Sequence, residues 1–323
     1  MAEIRSLEIF YWTATLCSFR GAAERLNTTQ PAVSQRVAAL EAEFGCKLFE
    51  RRARSVCLTP KGRELLGYAE RFLRLRTEMT EALVSPALAR GVLRLGVSET
   101  IVHSWLMRFI ERMAQVYPGV TVDIAVDISP NMRDALLNRD LDLAFLVGPI
   151  TMPSLVNLPL CRYGVAWIAA AGLDLGPGEV PLAELVRHPI ITYPRNTNPY
   201  AQLHDLIARS NLPPPRLHSN ASLSTIVRMT LEGIGISVIP PAIVRRELEA
   251  GDLRIVNTAT ELPDIVFTAT YANVPDAGLA APAARLAQEV ATEAVATDKL
   301  ALSKSMRKDD LYRTAQSVNM AHS

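Results

Sequence analysis

The chain has 323 residues, 49% hydrophobic and 21% charged, with 34 Lys and Arg against 33 Asp and Glu for a net charge of +1. This composition excludes a disordered chain and suits packed globular domains, and the length admits two or three of them. The four cysteines, at 17, 46, 57 and 161, form no CxxC pair and no histidine stands at ligand spacing, so neither a zinc site nor a disulfide framework is expected.

The N-terminal stretch "MAEIRSLEIFYW" carries an acid at position 3 and no long apolar run, which argues against a signal peptide. Nowhere do the roughly 18 apolar residues of a membrane span run together. A reducing, cytoplasmic compartment without a membrane partner is therefore expected. Charge is unevenly placed. Residues 1–90 hold 14 basic and 10 acidic side chains, residues 91–323 hold 20 and 23, and within 20–63 the ratio is 9 to 4. A modest basic excess is a weak sign of a polyanionic partner on its own, and its position gives it weight.

That position is the segment "FRGAAERLNTTQPAVSQRVAALEAEFGCKLF" (19–49). Ser18 can cap a helix from Phe19. Ala22, Ala23 and Leu26 then share a face, with alanines small enough for a second helix to approach closely. Asn27, Thr28 and Thr29 make a turn. Thr29 can cap the next helix, with Gln30 and Pro31 in its first turn, where a missing N–H costs little. Val33, Val37, Leu40 and Phe44 step by 4, 3 and 4 as an expected buried stripe, and Gly45 ends the helix. The opposite face presents Gln30, Ser34, Gln35 and Arg36. Two short helices, a tight turn and polar residues at the start of the second form a helix-turn-helix from about Arg20 to Ala39, which enters a major groove by that end. The plain alternative is a helical hairpin that only packs. Against it stands "LFERRARSVCLTPKG" (48–62), a short hairpin with Arg51, Arg52 and Arg54 at its tip, placed to reach phosphates or a minor groove.

The run from Ser18 to Leu66 resembles the winged helix-turn-helix of the LysR-type transcriptional regulators. That family shares S-F-x-x-A-A-x-x-L, then S/T-Q-P-A-x-S, then L-E-x-x-L-G-x-x-L-F-x-R, then L-T-x-x-G, and the chain matches nearly all of it, with Phe44 where Leu is usual. The likeness covers about residues 4–65 closely and extends more loosely to about 296. It implies that Gln30, Pro31, Ser34 and Gln35 face the groove, flanked by Thr28, Thr29 and Arg36, and that Arg52 and Arg54 belong to the wing.

Residues 62–85 have apolar side chains at 65, 66, 69, 72, 73, 75 and 79, a long amphipathic helix that needs a partner. In the resemblance this is the linker helix that pairs two chains, with Leu65, Ala69, Phe72 and Met79 as the expected seam. The alternative is packing on the chain's own domains. Pro86 closes the segment and "ALARG" forms a hinge.

From Gly91 strands and helices alternate, implying a parallel sheet covered on both faces. "VLRLGVS" reads as a strand, "TIVHSWLMRFIERMAQVYP" as one helix, "VTVDIAV" as a strand, "SPNMRDALLNRD" as a helix and "LDLAFLVG" as a strand. "RYGVAWIAA" (162–170) reads as a strand crossing into a second lobe built from "PIITYP", "NPYAQLHDLIARSN", "SLSTIVRMTLEGIG" and "ISVIP". "PDIVFTATYA" (263–272) returns, followed by an Ala-rich helix over 277–296. The fold class is thus α/β: an N-terminal winged helix-turn-helix with a long linker helix, then a two-lobed domain that resembles the periplasmic-binding-protein-like effector domain of the same family. The expected divisions are 1–61, 62–90 and 91–296, with lobe I about 91–161 and 266–296 and lobe II about 162–265. Residues 297–323 lack a sustained apolar stripe and are expected to be a mobile tail.

In open α/β folds ligands lie beyond the carboxyl ends of strands, at helix N-termini whose free N–H groups favour anions. "GVSETIVHS", "VDISPNM", "YPRNTNPY" and "NASLSTIV" are four such junctions. They nominate Ser98, Thr100, Ser129, Asn196, Thr197 and Ser222 as effector contacts, the alternative for each being an ordinary N-cap, while His103 reads as a surface residue. The expected effector is a small anion held by hydroxyls and backbone N–H groups, with Arg195 the one cation nearby. Glu99 would instead welcome an amine if it faced the cleft, and strand alternation does not settle its direction.

The histidines at 103, 188, 204, 218 and 322 show no nucleophile-elbow or HExxH spacing, and no phosphate-binding Gly-rich loop is present, so catalysis is not expected. A redox sensor on the same DNA-binding half would need a reactive cysteine pair in the effector domain, where Cys161 stands alone. A solute-binding protein would lack the N-terminal half. The resemblance implies a transcription regulator that pairs as a homodimer or homotetramer on an interrupted dyad-symmetric site in double-stranded DNA. It would respond to a small-molecule effector, meet RNA polymerase and use no cofactor and no metal.

Overall fold

A computed structural model describes residues 3–52, 55–83, 86–176, 178–275, 277–294 and 296. The expected mobile tail, 297–323, lies outside the described residues. The chain divides into two compact units, Met1–Leu88 with Asn273–Gly278, and Ala89–Ala272 with Leu279–Ser323.

The first unit runs α1 (Ile4–Thr15), α2 (Phe19–Arg25), α3 (Gln30–Phe44), β1 (Phe49–Arg52), β2 (Ser55–Leu58) and α4 (Pro60–Leu83). Local chemistry sets the boundaries. The Ser18 hydroxyl accepts from Gly21 N–H at 3.0 Å to start α2, and the Thr29 hydroxyl accepts from Ala32 N–H at 3.4 Å to start α3. Gly45 ends α3 at φ 64°, a left-handed conformation that a side chain would strain. α2 packs on both α1 and α3 through buried Ala22 and Ala23, and α1 supplies Phe10 and Trp12 to the core.

Two expectations change here. Val33, Val37 and Leu40 are buried, but Phe44 is 46% exposed, because the core ends one turn before the helix does. Glu41 turns inward instead and braces the wing, accepting from the N–H groups of Leu48 and Phe49 at 2.9 and 3.3 Å and from Lys47 at 2.6 Å. Burial works to raise the Glu41 pKa, but these donors outweigh it and hold the carboxyl below its ordinary value. On α4, Ala69 is fully buried and Leu65 packs against the same core. Ala69 thus faces the protein's own interior and is not free to form a seam, while Leu65 is partly buried there. Phe72 and Met79 do face outward and share an exposed stripe with Tyr68 and Leu75, stepping by 4, 3 and 4.

The second unit contains two five-stranded sheets. Its elements are β3 (Gly91–Val97), α5 (Glu99–Val102), α6 (Leu106–Val116), β4 (Val120–Val126), α7 (Ser129–Asn138), β5 (Leu143–Val147), β6 (Leu155–Tyr163), β7 (Ala166–Ala170), α8 (Leu182–Leu185), β8 (Ile190–Thr192), α9 (Asn198–Arg209), β9 (Leu217–Ser219), α10 (Leu223–Leu231), β10 (Ile236–Ile239), α11 (Arg245–Ala250), β11 (Leu253–Ile255) and β12 (Ile265–Ala272), then helix 280–294. The first sheet is ordered β4-β3-β5-β12-β6, with β3 parallel to β4 and β5 and with β12 antiparallel to its neighbours. The second is ordered β11-β7-β10-β8-β9, with β8 parallel to β10 and β9. Helix 280–294 lays Ala280, Ala283, Ala284, Ala287 and Ala291 into the core of the first sheet.

The chain passes between sheets over Gly164 and Val165, so the single crossing strand expected over 162–170 is two strands in different sheets. The single helix expected after Val97 is also two. The Ser104 hydroxyl donates back to Thr100 O at 2.8 Å, and fully buried Trp105 sits at the break. At Gly96 a Cβ would lie 2.6 Å from Leu141 Cδ1 and 2.9 Å from Met132 Sδ, so glycine lets α7 rest directly on β3.

Candidate functional site

In the first unit, the N-terminal end of α3 presents an exposed polar face. Gln30, Pro31, Gln35 and Arg36 are exposed, and Ser34 is half-buried. The Gln30 amide donates to the Ser34 hydroxyl at 3.0 Å, so the two side chains hold each other in place. Thr28 is half-buried, with its N–H bonded to Ala23 O at 2.9 Å, and Thr29 is the helix cap. Arg36 pairs with Glu3 at 2.7 Å, with both side chains largely in solvent. Register in the wing joins Arg51 to Val56 and Arg52 to Ser55. The side chains of Arg51 and Arg52, and all of Arg54, lie outside the described residues.

In the second unit, a cavity of about 450 Å³ lies beyond the carboxyl ends of β3, β4, β5 and β8. Ser98, Thr100, Ser129, Thr197 and Ser222 all line it; Asn196 does not, and its side chain is exposed. Ser98 is 8% exposed and its hydroxyl does not cap α5. Thr100 is buried beside the Tyr193 hydroxyl, which is itself buried and without a hydrogen bond of ordinary geometry. Burial pushes the Tyr193 pKa up, keeping it a neutral phenol. The Ser129 hydroxyl accepts from Val147 N–H at 2.9 Å, and the Thr197 hydroxyl donates to Pro194 O at 2.6 Å, so both are partly spent on structure. Apolar walls come from Val126, Ile128, Val147, Ile150, Ile265 and Phe267.

Three charged side chains line the cavity: Glu99, Asp127 and Arg133. Arg195 does not, so Arg133 takes the place expected for it. Arg133 is held by Asp134, with Nε and Nη2 each 2.8 Å from Oδ1. Asp127 stands just before α7, its Oδ1 accepting from Ile128 N–H at 2.7 Å and from the Asn131 amide at 2.8 Å. Glu99 reaches across from α5 to the first turn of α10. Its carboxylate accepts from the N–H groups of Leu223 and Ser224 and from the hydroxyls of Ser222 and Ser224, with His103 Nε2 at 3.6 Å.

Residues 4–63 match the family model described as the bacterial regulatory helix-turn-helix protein of the lysR family, and residues 86–296 match the LysR substrate binding domain. The chain belongs to the LysR family. It is similar to the regulator GltR of Bacillus subtilis (27% identical over 252 residues, covering 78% of this chain and 84% of that one). It is also similar to BbuR of Bordetella bronchiseptica (28% over 260 residues, 80% and 79%). Among solved structures, an OxyR mutant from Corynebacterium glutamicum shares the fold at TM-score 0.56 and 23% identity, over 94% of this chain and 96% of that one. A Pseudomonas aeruginosa protein described as a LysR family transcriptional regulator matches at TM-score 0.52 and 25% identity, over 91% and 99%.

This LysR-type protein is a DNA-binding transcriptional regulator with an effector-binding domain. No helix among the described residues is long and apolar enough to cross a membrane. Burial pushes the Cys161 thiol up to about 12, a protonated and unreactive state at neutral pH. Sequence reading missed Asp127, Arg133, Tyr193 and Asn198 as lining residues. Helical spacing from Ser129 would have found Arg133, which lies four residues on and therefore on the same face.

Proposed function

We propose that a small-molecule effector occupies the cavity between the two sheets of the effector domain, and that its binding alters how paired α3 helices engage a dyad-symmetric promoter site. One observation carries this reading. The buried Tyr193 hydroxyl is left without a hydrogen bond of ordinary geometry in an apolar-walled cavity at the carboxyl ends of strands, where a ligand would satisfy it. On the DNA side, Gln30, Pro31, Ser34 and Gln35 read base edges, Thr28, Thr29 and Arg36 flank them, and Arg52 and Arg54 of the wing hold phosphates or a minor groove. The outer stripe of α4, with Phe72 and Met79, pairs two chains into a homodimer or a tetramer built from it. The regulator works in the cytoplasm, meets RNA polymerase at the promoter and performs no catalysis of its own.

The test is a thermal-shift screen of amino acids, amines, small carboxylates and sulfonates on the full chain, followed by calorimetry of each hit on Ser98→Ala and Thr100→Val. A hit should lose about tenfold or more in affinity where one hydrogen bond is removed. Full retention by both variants for every hit would place the effector elsewhere.

A further inference from the structure

The seat that a helix N-terminus offers an anion is already taken at α10. Glu99 belongs to the first sheet's side of the cavity, at the start of α5, and α10 belongs to the second. Its carboxylate nonetheless accepts from Leu223 N–H, from Ser224 N–H at 3.4 Å and from the Ser222 and Ser224 hydroxyls at 3.4 Å each. A nine-residue helix points its first free N–H groups at this spot. The carboxylate there is tethered through its own backbone. An intramolecular group competes at a high effective concentration, so an effector's acid would have to evict Glu99 and then sit beside the displaced charge.

Other charges on the cavity wall point the same way. Asp127 is a second carboxylate, and the one lining cation among the described residues, Arg133, is already paired with Asp134. On the same wall the Tyr193 hydroxyl is buried and without a hydrogen bond of ordinary geometry, so a ligand is still called for here. The wall carries an excess of negative charge that a cationic or donor-bearing ligand would offset.

We propose that Glu99 is a specificity-determining residue: a tethered carboxylate that fills the α10 anion seat, rejects an effector's carboxylate there and selects an effector presenting a hydrogen-bond donor, such as an amine. This revises the anion expected from the sequence. It rests on the cavity being the effector site, and it also makes Glu99 a link between α5 and α10.

Restoring the missing carboxylate in trans tests it without any knowledge of the effector. Melting of wild type, Glu99→Ala and Glu99→Gln is followed by titration with sodium acetate against sodium chloride at matched ionic strength and one fixed pH. Glu99→Ala should melt lower than wild type. Acetate should restore about 2–4 °C in a saturable manner, while wild type shows no acetate-specific rise. In Glu99→Gln, where an amide oxygen still half-fills the seat, the rise should be smaller but saturable. That variant carries the test if the alanine form does not fold. Equal acetate shifts in wild type and variants, or none in either variant, would overturn the proposal. Because no effector is used, either outcome is independent of the metabolite screen that tests the cavity itself.

Discussion

Replacing Phe72 by Asp puts a charge into the middle of the outer α4 stripe. Phe72 is 45% exposed and Leu75 63% in the single chain, so about half of the ring remains to be buried by a partner. Burying a whole phenylalanine side chain is worth about 1.5–3 kcal/mol, so the exposed half contributes roughly 1 kcal/mol. In a two-fold interface the same loss occurs on both chains. A carboxylate left unpaired in the closed seam adds a penalty of about 3–5 kcal/mol. At 1.4 kcal/mol per tenfold, the dissociation constant should rise by about a thousandfold or more. Sedimentation velocity on the full chain, from nanomolar to micromolar, reads this directly as a shift to monomers with melting temperature nearly unchanged. Ala69→Asp is the contrasting variant. It buries a charge in the protein's own core and should unfold the first unit rather than separate folded chains. If Phe72→Asp assembles like wild type throughout that range, the stripe does not hold the oligomer.

Gln30→Ala should relax base preference and weaken specific binding by about 1–3 kcal/mol. Because Gln30 and Ser34 are hydrogen-bonded, the double substitution with Ser34→Ala should cost less than the two singles together in duplex titrations. Arg36→Ala should weaken operator and random duplex alike and flatten the salt dependence of both. Glu41→Gln should destabilise the first unit by about 1–3 kcal/mol at neutral pH through loss of a charged acceptor. Since the folded pKa is depressed, that contribution is present above the ordinary carboxylate pKa of 4.5 and fades as pH falls below it, so denaturant midpoints of variant and wild type should converge in acid. Iodoacetamide at neutral pH should label exposed Cys17 and spare Cys161, and mass spectrometry showing rapid Cys161 labelling would reopen a redox role.

Much of the first unit was legible because its signals are local. Ser18, Thr29 and Gly45 each act on backbone groups within a few residues, and each does so in the structure. Depth was not legible. A 4-3-4 pattern shows that Val33, Val37, Leu40 and Phe44 share a face, but not that the core ends before Phe44. On α4 there are apolar residues on two faces, and only the fold decides that Leu65 and Ala69 turn inward while Phe72 and Met79 turn out. The cavity shows the same division. Strand-to-helix junctions placed five of the six nominated side chains on its wall, because β-strand ends and helix starts are readable motifs. The direction of Glu99 was hidden because its partner, Leu223, lies 124 residues away. Asn196 was drawn in by a loop that turns its side chain to solvent.

The central claim is that this chain acts on DNA as a pair of α3 helices whose spacing answers to the cavity. Hydroxyl-radical footprinting of the protein on a selected high-affinity duplex, with and without a cavity ligand, tests it most directly. Two protected half-sites related by a dyad, about one helical turn or a multiple of it apart, should appear with wild type, shift in extent on ligand addition and need markedly more protein with Gln30→Ala. A single unpaired footprint, or a paired one indifferent to both the ligand and Gln30, would contradict the account.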